Sequence, residues 1–223
     1  MTKKVLVLAP HPDDESLGCG GTLLKHQAMG DEIHWCIATS MDDSADYSEQ
    51  QKLERSQVIR DVSQRYAFNS VIALNFKPAE LDAIPTKDLL QPLKTMLEQL
   101  KPNIVYLPYA FDVHSDHQVL FKAMISATKS FRAPYIEKIL CYETLSETDF
   151  ALSPLNIQFQ PNVFVDISRF AEKKYQILDL YAAEFKAHPF PRSIEAVKAL
   201  GTLRGAQARC VVAEAFVLLK EIC

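Results

Sequence analysis

The sequence predicts an α/β protein, a three-layer α/β/α sandwich around a mostly parallel sheet. Three observations carry this. Short apolar runs at residues 5–8, 33–39, 71–74 and 104–107 read as buried strands. Between them lie longer stretches with apolar side chains at helical spacing, and strands alternating with helices build a parallel sheet covered on both faces. Chemically unusual residues follow directly after the first and fourth runs, at the carboxyl ends of strands, where open α/β sheets bind ligands.

Strand one, residues 5–8, leads into Ala9-Pro10-His11-Pro12-Asp13-Asp14-Glu15-Ser16 and then a helix over 17–29. Leu17, Leu23, Leu24 and Met29 form the apolar side of that helix, and His26 is expected at its surface. Gly18, Gly20 and Gly21 allow a close backbone approach, but Gly-Cys-Gly-Gly is not the dinucleotide fingerprint, so no pyrophosphate site is expected. Strand two spans 33–39, with His34 structural near its start. Residues 40–48 form a polar loop in which Asp42, Asp43 and Asp46 either line the mouth of a site or are simply solvated. A helix over 49–66 carries Leu53, Val58, Ile59 and Val62 on one side, together with Arg55. Strand three (71–74), a loop (76–85), a helix (89–100) and strand four (104–107) follow. Pro108-Tyr109-Ala110-Phe111-Asp112-Val113-His114-Ser115-Asp116-His117-Gln118 then opens a helix near His114.

Strands at 139–142 and 163–167 flank an irregular stretch, 147–161. A helix over 169–186, with Phe170, Ile177, Leu178 and Tyr181 inward, is broken by His188-Pro189-Phe190-Pro191. Residues 194–222 read as a C-terminal helical extension, interrupted around Gly201 and Gly205. Without repeats, low-complexity tracts or linkers, residues 1–223 are expected to form one domain on a Rossmann-like sheet.

The balance of charge narrows the partners. A formal charge of −4 provides no basic footprint, so no nucleic-acid partner is expected. The five cysteines include no CxxC pair, and Cys36, Cys141 and Cys210 lie in apolar runs and read as buried thiols. That suits a reducing compartment and a cytoplasmic protein. No signal-like start is visible and no apolar run reaches about 18 residues, so no integral membrane segment is expected. A homo-oligomer stays open.

The two strand-end clusters carry the chemistry. His11 and Asp14 lie three apart on a turn that Pro10 and Pro12 hold away from helix. An imidazole and a carboxylate are zinc-type ligands, and hydrolytic zinc sites use three protein ligands plus a water. Asp13 is left over as a candidate general base. If the helix starts near His114, then His114 and His117 share one face, and one of them could ligate a metal while the other stays free. Asp116 reads as a carboxylate behind a ligating imidazole, or as a helix-start acid. The plainer alternative makes Asp14, Glu15 and Ser16 mere helix caps. Capping does not account for a histidine between prolines followed by three acids.

At these clusters the chain resembles the PIG-L/LmbE family of zinc-dependent N-acetylglucosamine deacetylases. The matching residues are Pro10-His11-Pro12-Asp13-Asp14-Glu15, Gly18 with Gly20-Gly21-Thr22, and His114-Ser115-Asp116-His117. Asn162-Val163-Phe164-Val165-Asp166-Ile167, Pro191-Arg192-Ser193, Arg204-Gly205 and Ala213-Glu214-Ala215-Phe216 extend the likeness over nearly the whole chain. The resemblance implies one Zn2+ per chain on His11, Asp14 and His117. It implies Asp13 as general base and His114 as the partner that polarises the carbonyl or stabilises the oxyanion; in the mechanism that follows, His114 is protonated at that moment, and either Asp13 or His114 returns a proton to the amine. The substrate would be a small molecule or glycan bearing N-acetylglucosamine. One departure concerns the helix over 49–66, which in many relatives carries Arg-x-x-Glu; here Val58 follows Arg55 at the glutamate position.

Further substrate contacts are candidates only. Arg192 and Arg204 suit a phosphate or carboxylate on the substrate's far end, or ordinary salt bridges. Tyr142 either reaches the site or packs in the core. Glu214, an acid in an apolar stretch, needs a partner, for which Arg204 is the candidate. Two rival functions remain: another metal-dependent hydrolase of the phosphoesterase type, and a non-catalytic carbohydrate- or nucleotide-binding module. Phosphoryl chemistry often uses two metals about 3.5–4 Å apart, whereas the motifs offer three ligands.

Overall fold

The computed structural model describes residues 2–42, 44–152 and 158–223. The chain starts with β1 (Lys4–Ala9), α1 (Asp14–Met29), β2 (Glu32–Thr39), α2 (Glu49–Tyr66) and β3 (Ser70–Phe76). It continues with α3 (Thr86–Leu100), β4 (Ile104–Pro108), α4 (Ser115–Ala127) and β5 (Lys138–Tyr142). It ends with β6 (Val163–Asp166), α5 (Ala171–Leu178), α6 (Ile194–Ala208) and β7 (Ala213–Glu221). The strands form one seven-stranded sheet in the order β3-β2-β1-β4-β5-β7-β6. β1 through β5 pair in parallel, while β7 runs antiparallel between β5 and β6.

Alternation along the strands fills two cores. Val5, Val7, Ala9, Ile33, Trp35 and Ile37 face α1, α2 and α5; Leu6, Leu8, Cys36 and Ala38 face α3 and α4. β1 and β2 therefore read as continuous apolar runs, since both faces are buried. The chain leaves β1 toward β2 on one side and returns to β4 on the other. The clusters after β1 and β4 thus meet at the point where the strand order reverses.

The C-terminal extension is not helical throughout. α6 ends at Ala208, Arg209 takes the left-handed conformation, and the chain turns back as β7. Short apolar segments do not distinguish helix from strand by period alone. Gly205 is the local signal, because a Cβ there would lie 2.6 Å from the Val211 carbonyl oxygen. α5 is shorter than the expected 169–186 and passes into a 3-10 turn at Asp179–Tyr181.

Three other expectations are corrected. His26 is buried, bonded to Asp31 (2.8 Å) and to the Tyr106 hydroxyl (2.9 Å). Cys210 is only half-buried, whereas Cys19 joins Cys36 and Cys141 in the core. The partner of Glu214 is Lys174 (2.7 Å), not Arg204. α1 is kinked at Cys19, and the Glu214 carboxylate accepts the backbone N–H groups of Gly21 (2.8 Å) and Thr22 (2.7 Å). Arg204 instead grips Glu143 with two nitrogens, at 2.8 and 2.6 Å.

Candidate metal centre and active site

The turn after β1 and the start of α4 bring His11, Asp14 and His117 together, with one donor atom from each within 4.8 Å of the others. His117 Nε2 lies 3.3 Å and His11 Nδ1 3.4 Å from Asp14 Oδ2. The outer side of each ring is already engaged. His117 Nδ1 bonds Asp112 Oδ2 at 2.8 Å, and His11 Nε2 bonds Asp116 Oδ2 at 3.0 Å. Those carboxylates accept, so each outer nitrogen carries a proton and the two inner nitrogens converge on one carboxylate.

Two ring nitrogens converging on a buried carboxylate call for positive charge between them, supplied by ring protons or by the metal ion that displaces them. Asp14 Oδ1 and His117 Nε2 are both buried without a hydrogen-bond partner. Buried polar atoms are rarely left so, and three N/O donors of this kind fit a divalent metal ion. The electrostatics agree. Burial alone would raise the Asp14 carboxyl, yet His117 and His11 hold it well below the usual carboxylate range. Burial opposes charge on the two rings, but their carboxylate neighbours win, raising His11 to about 9 and His117 to about 10.

Asp13 sits beside this centre with its backbone at φ 142°, a strained value for a residue with a side chain. The buried Glu15 carboxylate helps hold it there by accepting the Asp13 N–H at 3.1 Å, while taking the hydroxyls of Ser16 (2.6 Å) and Tyr181 (2.8 Å). α1 has no side-chain cap, so the acids of this turn are not explained as caps. Burial, then the Asp14 charge, push the Asp13 carboxyl up to about 7, against Arg192 and His11. Arg192 Nη1 lies 2.8 Å from Asp13 Oδ2, and its other nitrogens hold Ser146 (2.7 Å) and Glu147 (2.9 Å).

His114 is the N-cap of α4. Its Nδ1 accepts the Asp116 N–H at 3.1 Å, which leaves the ring proton on Nε2. Asp116 also accepts the N–H groups of Ala79 (2.7 Å) and Leu81 (3.2 Å), tying the loop after β3 to this corner. Arg55 donates to the Pro12 carbonyl (3.0 Å) and pairs with Glu184. The glutamate missing from α2 is therefore supplied from a distant segment.

A cleft of about 350 Å³ opens over His11, Asp13, His114, Arg55 and Arg192. Asp42 and Glu184 also line it. Asp46 instead bonds Ser44, and Asp43 lies outside the described residues. Two expected substrate contacts are elsewhere. Tyr142 is fully buried, donates to the Leu8 carbonyl (2.8 Å), and packs so closely that a Cβ on Gly18 would lie 2.2 Å from its ring. Arg204 does not line the cleft and is committed to Glu143. Asp112 and Glu184 were not picked out from sequence, and Glu15 was named only as one acid of the turn, without its role in holding Asp13. Asp112 carried a usable signal, an acid directly after a strand and five residues before His117.

Residues 6–128, more than half of the chain, match the family profile described as PIG-L, GlcNAc-PI de-N-acetylase. Over 197 residues the chain is 26% identical to diacetylchitobiose deacetylase of Thermococcus kodakarensis, covering 82% of this chain and 70% of that protein. The conserved protein TT1542 of Thermus thermophilus superposes with a TM-score of 0.80 at 25% identity, over 100% of this chain and 97% of that one. GalB of Pseudomonas putida, a 4-carboxy-2-hydroxymuconate hydratase, superposes with a TM-score of 0.75 at 18% identity, over 100% of this chain and 98% of that one, which shows a shared fold alone. With the family profile spanning both strand-end clusters, the chain belongs to the PIG-L family.

Proposed function

We propose that this chain is a metal-dependent amidohydrolase that removes the N-acetyl group from an N-acetylglucosamine-type sugar or glycoconjugate, releasing acetate and the free amine. The single observation that carries this is a buried, unpartnered Asp14 Oδ1 and His117 Nε2 directly behind His11 and a second carboxylate, Asp13, which line the cleft. His11, Asp14 and His117 would hold one zinc ion, for which imidazole nitrogens and a carboxylate oxygen are usual ligands. Bound there, the ion supplies Lewis-acid polarisation of the carbonyl and acidifies water toward a pKa of about 7.

The chain's own residues do the rest. Arg192 occupies Oδ2 of Asp13, which leaves Oδ1 to take the proton of the attacking water. A carboxyl near 7 is poised for that at neutral pH, and positive charge next door favours its ionised form. His114 donates from Nε2 to the developing oxyanion. Because its Nδ1 lone pair caps α4, it does so as a neutral ring, not as the imidazolium expected from sequence. Asp13 then returns its proton to the leaving amine. Arg55 with Glu184 offers a donor and an acceptor to sugar hydroxyls at the cleft mouth.

The geometry argues against a two-metal phosphoesterase. The other His/Asp group among the described residues, His11, His114 and Asp116, shares His11; the Asp116 oxygens and His114 Nδ1 accept backbone N–H groups, and His114 Nε2 carries the ring proton. Among the described residues no helix is long and apolar enough to cross a membrane. Free core thiols at Cys19, Cys36 and Cys141 suit a reducing compartment, and we assign the enzyme to the cytoplasm on that ground.

The test is primary-amine release from a panel: N-acetylglucosamine, its disaccharide, a malate glycoside, a nucleotide-linked form and an inositol-linked form, with zinc supplied and Asp13→Ala as control. Release from one member, absent in the variant, is the expected result. Protein purified under ligand-preserving conditions without metal, and silent on the panel, returns the function to a binding module.

A further inference from the structure

The cleft does not end at the catalytic residues. It continues along the sheet beneath the amino-terminal half of α2, over Ile37 of β2 and Val71 and Ala73 of β3, with Ser56 and Ile59 above. The reason lies in α2 itself. Its only buried side chains are Val62 and Tyr66, in its last two turns. One turn back from Val62 stands Ile59, and the next position facing the sheet is Ser56, too short to reach it. β3 records the gap. Val71, Ala73 and Asn75 are exposed although α2 lies over their face, whereas Ile72, Leu74 and Phe76 on the other face are half-buried. From Asn75 back to Val71 is four residues, so the slot runs about 13 Å along the strand at ~3.3 Å per residue.

We propose that this slot binds an apolar group carried by the substrate, so that the preferred substrate is an amphiphilic N-acyl amino sugar rather than a bare sugar. The inference rests on the amidohydrolase reading of the same cleft. The charged side chains Arg55, Glu184 and Asp42 suit hydroxyls, while the slot itself is lined by aliphatic Ile37, Ile59, Val71 and Ala73, with only the uncharged Ser56 and Asn75 among them. Continuity with His11, Asp13 and His114 makes the occupant part of the reacting molecule. An alkyl or aryl group could reach the slot from the anomeric carbon or as a longer N-acyl chain, and the chemistry of the slot is the same for both.

The experiment compares kcat/KM for N-acetylglucosamine, its octyl and phenyl glycosides, and N-octanoylglucosamine, using metal-loaded protein. At least one apolar substrate should exceed N-acetylglucosamine tenfold or more, mainly through KM, and the arm that gains tells aglycone from acyl chain. Ser56→Phe, and independently Ala73→Leu, fill the slot and should bring that ratio toward one, whereas Ser56→Ala should keep it. Equal turnover of bare and apolar substrates overturns the proposal, as does a ratio that both filling variants leave intact. If no substrate releases amine, the amidohydrolase reading fails separately. Binding of octyl glucosaminide against glucosamine by calorimetry then decides the slot, tighter octyl binding lost in Ser56→Phe supporting it and equal binding overturning it. A filling variant that leaves the ratio unchanged but alters the oligomeric state assigns the groove to a second copy of the chain and overturns the proposal.

Discussion

Asp112 offers a direct test of how the centre is built. Its Oδ2 holds His117 Nδ1 at 2.8 Å, its Oδ1 accepts the Thr148 hydroxyl at 2.6 Å, and it is fully buried. Two effects follow from one carboxylate. It fixes the ring so that Nε2 faces Asp14, and its charge makes that nitrogen a stronger donor. Asp112→Ala removes both and leaves a buried N–H unpaired. Metal affinity should fall 10- to 100-fold, or about 1.4–2.7 kcal/mol at 1.36 kcal/mol per decade. Asp112→Asn keeps an amide oxygen for the ring proton, and the Thr148 hydroxyl can turn to accept from the amide. Orientation survives and charge is lost, so its deficit should be the smaller. Zinc competition against a chelator of known affinity measures both variants, with far-UV circular dichroism as the check on folding. A folded Asp112→Ala protein that binds zinc as tightly as the parent refutes the reasoning.

Five further outcomes are expected. Asp13→Ala should keep about one zinc by metal analysis and lose turnover by roughly 10²–10⁴-fold, the usual worth of a general base, whereas His117→Ala should lose the metal. Because His11 and His117 are raised to about 9 and 10 in the metal-free protein, both carry protons at pH 7. Metal binding there should release about two protons, seen by calorimetry in buffers of different ionisation heat, and affinity should rise with pH; pH-independent affinity between 6 and 8 contradicts this. Arg192 holds the Asp13 carboxyl down, so Arg192→Ala should move the acidic limb of the kcat/KM profile to higher pH; a shift the other way removes Arg192 as its partner. Gly18→Ala drives a methyl into the Tyr142 ring and should cost about 1–3 kcal/mol, lowering Tm by about 5 °C with little effect on metal content.

The likeness to GalB sets a limit on fold-level argument. The same sheet and helices carry a hydratase in that protein, so the scaffold does not name a reaction. The reading of this chain rests on what its own turn residues do: two imidazole nitrogens converging on Asp14, a strained Asp13 beside them, and His114 with one donor left free.

Periodicity along the chain was enough for the parallel half of the sheet, because a strand buried on both faces must be apolar at every position, as Val5 to Leu8 are. The cluster of His11, Asp13 and Asp14 was also legible, since prolines and acids packed into one turn have no economical structural use. What sequence could not carry was everything that depends on approach between distant segments. α6 and β7 share similar short apolar patterns, and only pairing with β5 and β6 turns one of them into a strand. Tyr142 and Arg192 both looked like candidate contacts. Packing against Gly18 sends the first into the core, and an ion pair with Asp13 brings the second to the cleft. Arg55 lost its helical partner to Val58 and regained a carboxylate from Glu184, 129 residues away. Local sequence determines what a short segment can do in water. Which carboxylate neutralises which cation is decided when burial strips the water from both, and that happens only in the folded chain.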